Sequence, residues 1–368
     1  MNRNIFAIIT LCLLCSCTKA QIIEPKVNEN VELMSILSRL AGFPEYNMNL
    51  GGQYILDINA YFGKYTNHPA VLQMKELRKN NGISYDAVMS MAVHLNTENS
   101  KFTLYPEEES TLEQRWNNVD KENFLTLLSQ FYRDSDFHRF FTEHQKLYQK
   151  GIQTYKDKVM KKFDQNWYSE FYGKAPEENF SVIIGFGNGG GNYGTNRHLK
   201  EQKKEIFAIV GYHVDKTGVP QYNEAYLPTL IHEFNHSFIN YLLDDTLYPQ
   251  HVQQLEKSGK VLLQSSLWAM SKQAYSNWKT VINESLVRAA VICYMLDKKY
   301  SEESIREDLT GQLQRNFRWM PELVQLLRKY QTNRAEYPSL ETFYPEIIHF
   351  FDEYAETQEN KIKSAIRF

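Results

Sequence analysis

Cysteine is scarce where it would count. The 368-residue chain has four, and three of them, Cys12, Cys15 and Cys17, fall within the first 17 residues, leaving Cys293 alone in the remainder. An intrachain disulfide framework is thereby excluded, and stability must come from a core or from a metal. A basic surplus is missing too: 41 Lys plus Arg against 44 Asp plus Glu give a formal charge of -3, so nothing invites DNA or RNA as a partner. After the N-terminal segment no run reaches the roughly 18 apolar residues of a membrane helix. Internal repeats and low-complexity tracts are also lacking. What the chain has in quantity is aromatic, with 24 Tyr and 21 Phe in a sequence that is 42% apolar. That composition predicts a packed globular protein with room for one large or two ordinary domains.

The N-terminus reads MNRNIFAIITLCLLCSCTKAQ, with Arg3 as a short positive region and Ile5 to Leu14 as an apolar one. It is too short to span a membrane and reads as a removed signal. Leu14-Cys15-Ser16-Cys17 resembles a bacterial lipobox, which implies a lipid on Cys17. The other reading is ordinary cleavage after Ala20, leaving Gln21 first. Both predict export, and the favoured one predicts a lipoprotein of the bacterial cell envelope, membrane-attached through Cys17.

Residues 18–175 read as mainly helical. Leu33, Ile36, Leu37 and Leu40 recur at helical spacing and stop at Ala41-Gly42, with Pro44 just beyond. The texture changes over 176–300. Phe180 to Ile184 and Glu205 to Tyr212 are strand-like, joined by the glycine-rich link GFGNGGGNYGTNRHLKEQKK and followed by LPTLIHEFNHSFINYLLDD. Residues 301–368 are helical again. The expected architecture is α+β and mainly helical, with a small sheet packed on the helix that carries HEFNH.

On that helix His232 and His236 stand four residues apart, so both imidazoles lie on one face and can reach a single ion. Glu233, about 100° further round, can address a water on that ion without binding it. Leu230, Phe234, Phe238 and Tyr241 form the side that can be buried. A catalytic zinc needs a third protein ligand. Ile239 and Leu242 occupy the places where a third-histidine motif would carry Gly and His, and Asp244 and Asp245 lie two turns beyond His236. Glu284 is the better choice. Its segment, WKTVINESLVRAAVICYML, is apolar nearly all round, and a buried carboxylate needs a partner. Two are open to it: Arg288 at i+4 as an internal ion pair, or the ion. Both can hold at once.

These residues resemble a gluzincin, the zinc metallopeptidase clan with H-E-x-x-H on one helix and a glutamate, often after asparagine, on a later one. The match is His232, Glu233 and His236 with Asn283-Glu284. The resemblance implies one zinc ion bound by His232, His236 and Glu284, Glu233 as general base, and a peptide or protein substrate. It spans roughly residues 180–296. Arg288 stands where thermolysin-like enzymes have a histidine-orienting aspartate, and no Gly-x-Met-Glu-Asn exopeptidase signature is present. More broadly, the lipobox, GNGGGNYG, HEFNHSF and NESLVRA resemble a family of exported bacterial proteins known only as a domain of unknown function.

Gly185 to Gly190 formally satisfies G-x-G-x-x-G, but turn formers follow where a nucleotide site needs a helix to open. The link is expected to be a flexible hairpin connection, or else an edge that offers backbone groups to an extended peptide. Tyr275, Tyr248 and His251 are the positional choices for an oxyanion donor. His68, His94, His138, His144, His198, His213 and His349 lack ligand spacing and read as surface or core residues. Three functions remain: a zinc peptidase, a catalytically inactive metallopeptidase-like binding lipoprotein, and a zinc hydrolase acting on another amide, such as one in a cell-wall fragment.

Overall fold

The computed structural model describes residues 24–366 apart from 109, 224 and 274, with side chains to residue 360. The signal segment and Cys17 lie outside the described residues. Among the described residues, eight α-helices form the first part: α1 (Glu29–Leu40), α2 (Gln53–Phe62), α3 (Pro69–Asn81), α4 (Asp86–His94), α5 (Lys121–Asp134), α6 (Phe137–Glu143), α7 (Gln145–Lys158) and α8 (Asn166–Tyr172). The helical period of α1 is as read: Leu33, Ile36 and Leu37 are fully buried. The Asn28 side chain caps its first turn, and Gly42 follows its end in the left-handed region. A short hairpin, β1 (Leu95–Glu98) and β2 (Lys101–Leu104), interrupts this region and was not expected. It turns on Asn99 and Ser100, both at positive φ.

The central sheet has three strands, β3 (Asn179–Gly185), β4 (Tyr193–Arg197) and β5 (Glu205–Gly211), in the order β3-β5-β4. β3 and β5 are parallel, whereas β4 runs antiparallel to β5. Val182 to Ile184 and Ile206 to Val210 are buried on both faces, which is why they read as unbroken apolar runs. The free side of β3 is covered at Lys26, which exchanges backbone hydrogen bonds with Val182 and Ile184.

The glycine link corrects the expectation of a flexible hairpin. β3 and β4 do not pair with each other, because β5 lies between them, and residues 185–189 are buried. Glu32, on α1, accepts hydrogen bonds from the Phe186 and Gly187 N–H groups at 2.7 and 2.9 Å. An internal carboxylate thus fills the nest that a phosphate would occupy in a nucleotide site.

Seven helices follow: α9 (Tyr226–Ile239), α10 (Pro249–Ser265), α11 (Leu267–Lys272), α12 (Trp278–Asp297), α13 (Glu302–Gln314), α14 (Met320–Thr332) and α15 (Leu340–Ile366). α9 packs against both β5 and α12, burying Leu230, Phe234 and Phe238 while His232, Glu233 and His236 stay partly exposed. The chain is therefore mainly helical α+β, with one hydrophobic core that takes residues from Val31 to Phe351.

Candidate metal centre

α9 and α12 bring the three expected donors together. His232 and His236 point their Nε2 atoms at each other, 3.3 Å apart. Glu284 reaches them from α12, with Oε2 3.7 Å from His232 Nε2 and Oε1 3.5 Å from His236 Nε2. Ligands about 2.0–2.2 Å from a tetrahedral zinc stand about 3.3–3.6 Å from one another. His236 Nε2 stands at such a spacing from His232 Nε2 and from Glu284 Oε1, while His232 faces the other carboxylate oxygen, and one ligand atom from each of the three residues lies within 4.8 Å of the others. Among the described residues no other group of three His, Cys, Asp or Glu side chains is so placed.

The charge states suit metal binding. Burial pushes the His232 imidazole down to about 3, so its lone pair is free at neutral pH. Burial opposes ionisation of Glu284, but the facing imidazoles, Arg288 and the Tyr275 hydroxyl outweigh it and hold the carboxyl at about 2. Arg288 bonds Glu284 Oε2 through Nε at 3.1 Å, donates to Tyr275 at 2.9 Å and to Gln312 at 3.1 Å. The ion pair read from the i+4 spacing is present beside the donor cluster, and the two coexist.

Glu233 occupies a different position. Burial raises its carboxyl to about 7, and it rests against Gly194 on β4, where an added Cβ would collide with Oε2. Parity along β4 settles which way its backbone faces. Asn196, two residues on, turns its carbonyl away from β5 to accept from Thr111, so the Gly194 N–H and C=O also point outward. Gly194 is exposed and makes no outward hydrogen bond among the described residues. A cavity of about 490 Å³ opens beside His232 and Glu233 and runs along α13.

Of the residues named for an oxyanion, only Tyr275 reaches the centre, where its hydroxyl serves Glu284 and Arg288. Tyr248 and His251 stack on each other, and His251 stacks in turn on Tyr344 of α15. Asp244 caps the turn at Thr246 and Leu247, and Asp245 pairs with Lys279 at 2.6 Å, so neither joins the donors. Asn240 was missed: its Oδ1 lies 3.1 Å from His236 Nδ1 and can fix that ring. Extending the 232, 236 spacing by one more turn would have found it. Gly194 left no local signal, since only the placement of β4 brings it to Glu233.

Fold and cluster together define a mainly helical α+β protein with a preassembled pair of imidazoles and a carboxylate. Over residues 23–350 the chain matches a family described as Domain of unknown function (DUF4932), and it belongs to that family. No curated protein and no solved structure matches it.

Proposed function

We propose that the protein is a zinc-dependent peptidase of the gluzincin kind, with one ion per chain held by His232, His236 and Glu284. The observation that carries this reading is the convergence of those three donors, one ligand atom from each within 4.8 Å of the others, with the His232 imidazole and the Glu284 carboxyl held in the unprotonated forms that ligation requires. Zinc there supplies Lewis acidity, polarising a substrate carbonyl and making water a stronger acid. Glu233, with a carboxyl near 7, is suited to accept a proton from water and return it to a leaving amine. The outward N–H and C=O of Gly194 hold an extended peptide beside Glu233 by strand addition. Export and lipid attachment at Cys17 belong to the same proposal and place the substrate at the cell envelope.

The test is the zinc content of purified residues 18–368 beside Glu284→Ala and Glu233→Gln. One zinc per chain, reduced more than about 100-fold in affinity by Glu284→Ala and kept by Glu233→Gln with loss of peptide cleavage, is the expected result. A protein that takes up no added zinc sinks the proposal. One observation favours the second reading, a binding lipoprotein without catalysis: Arg288 and the paired imidazoles satisfy the cluster without an ion. Zinc uptake with no cleavage of peptides or of cell-wall amides would move the conclusion there.

A further inference from the structure

The cavity beside Glu233 carries two guanidinium groups on its wall, Arg288 and Arg315. Their situations differ. Arg288 spends its nitrogens on Glu284, Tyr275 and Gln312. The Arg315 side chain forms no ion pair and no hydrogen bond among the described residues; only its backbone is used, the N–H donating to Gly311 at 3.1 Å and the carbonyl accepting from the Gln273 amide at 2.9 Å. It stands three residues past Gln312, which is bonded to Arg288 and through it to Glu284. This charge is therefore about one helical turn from the residues that brace the donor cluster.

The opposite charges lie elsewhere on the same wall. Glu307 and Asp308 also face the cavity, eight and seven residues before Arg315, about 11 Å away along α13, and Asp308 accepts a hydrogen bond from the Gln312 amide at 3.0 Å. They are too distant to neutralise it. The cleft that His232 and Glu233 line thus carries a guanidinium without a partner among the described residues, near enough for its charge to bear on His232, and carboxylates two turns back along α13. An anionic group on a bound molecule is drawn to one end and repelled from the other.

We propose that Arg315 receives a carboxylate of the substrate, so that the amide presented to Glu233 has a carboxylate next to it. A guanidinium fits this role because its planar fork bonds both carboxylate oxygens and keeps its charge at any physiological pH. The carboxylate has two sources, a free C-terminus or an Asp or Glu side chain adjoining the cleaved bond. The inference deepens the peptidase reading and rests on it, but its test does not depend on turnover.

Zinc-loaded Glu233→Gln protein, immobilised, is offered pools of randomised N-acetyl hexapeptides as free acids and as C-terminal amides, and the retained peptides are read by mass spectrometry. Enrichment of free acids over amides by about 10-fold to 100-fold assigns the terminal carboxylate. Enrichment of Asp and Glu over Asn and Gln in both pools assigns the side chain. Adding Arg315→Gln abolishes the enrichment, and Arg315→Lys restores part of it while the helical circular dichroism stays unchanged. Indifference to carboxylates, or the same enrichment in Arg315→Gln, overturns the role of Arg315. Failure of the parent protein to cleave any retained peptide instead removes the peptidase reading, and leaves the binding result standing.

Discussion

Glu32 and Glu284 are both deeply buried, at 0% and 8% exposure, yet their surroundings drive them in opposite directions. Glu32 meets neutral donors only: the Tyr54 hydroxyl at 2.8 Å and the two loop N–H groups, with Tyr148 bonded to Tyr54 behind them. Burial prevails over these bonds and lifts its carboxyl to about 7. Glu284 meets a guanidinium, two imidazoles and a phenol, and stays ionised. Burial alone therefore does not decide whether such a carboxyl keeps its proton; the charge of the cage does. The first cage pins the glycine loop that leads into β4, and the second gathers the donors beside Glu233.

The comparison breaks most easily at Arg288. In Arg288→Met the metal-free protein should lose about 3–5 kcal/mol of unfolding free energy, because Glu284 is left buried and unpaired. Zinc should recover most of that loss. Denaturant melts with and without the ion read both, and unchanged metal-free stability would show that the pair is not what holds Glu284.

Glu32→Gln sharpens the other side. The folded-state pKa of Glu32 is raised from 4.5 to about 7, so the folded protein keeps a proton that the unfolded chain releases. Its contribution is full below about pH 4.5 and is lost as the pH climbs through about 7. Glutamine stays neutral throughout. The stability of the parent relative to Glu32→Gln should fall by roughly 3 kcal/mol between pH 4.5 and 8. A pH-independent difference would place the proton elsewhere.

Asn240→Ala should have the smallest effect, about a 10-fold to 100-fold loss of zinc affinity with the melting of the metal-free protein little changed. Competition against a chelator measures it. An unaltered affinity would remove Asn240 as the support of His236.

What could be read from sequence was what local spacing encodes. His232, Glu233 and His236 share one helix, and Glu284 betrayed itself as a carboxylate in an otherwise apolar helix. The burial of α1 followed from its period, and that of β3 and β5 from their unbroken apolar runs. The glycine link was misjudged because turn formers read as mobile chain, whereas Gly190 and Gly211 pack backbone against backbone, a long-range approach that composition does not show. The β1 and β2 hairpin is only four residues a side, too short for alternation to stand out from the helix before it. Gly194 and Arg315 acquire meaning only when β4 and α13 come to lie around α9.

The outer side of β4 has one more consequence. From Asn196 onward it is occupied: Thr111 takes the Asn196 carbonyl, and the backbone at Glu107 and Glu108 pairs with that at His198 and Leu199. Lys26 closes the opposite margin at β3. A sheet with two long open margins would zip onto its own copies and aggregate. Here the gap at Gly194 is too short for another sheet to extend into. If a peptide binds there as proposed, it must be a single flexible strand, and the same stoppers that discourage pairing between copies would also bar folded neighbours from the cleft.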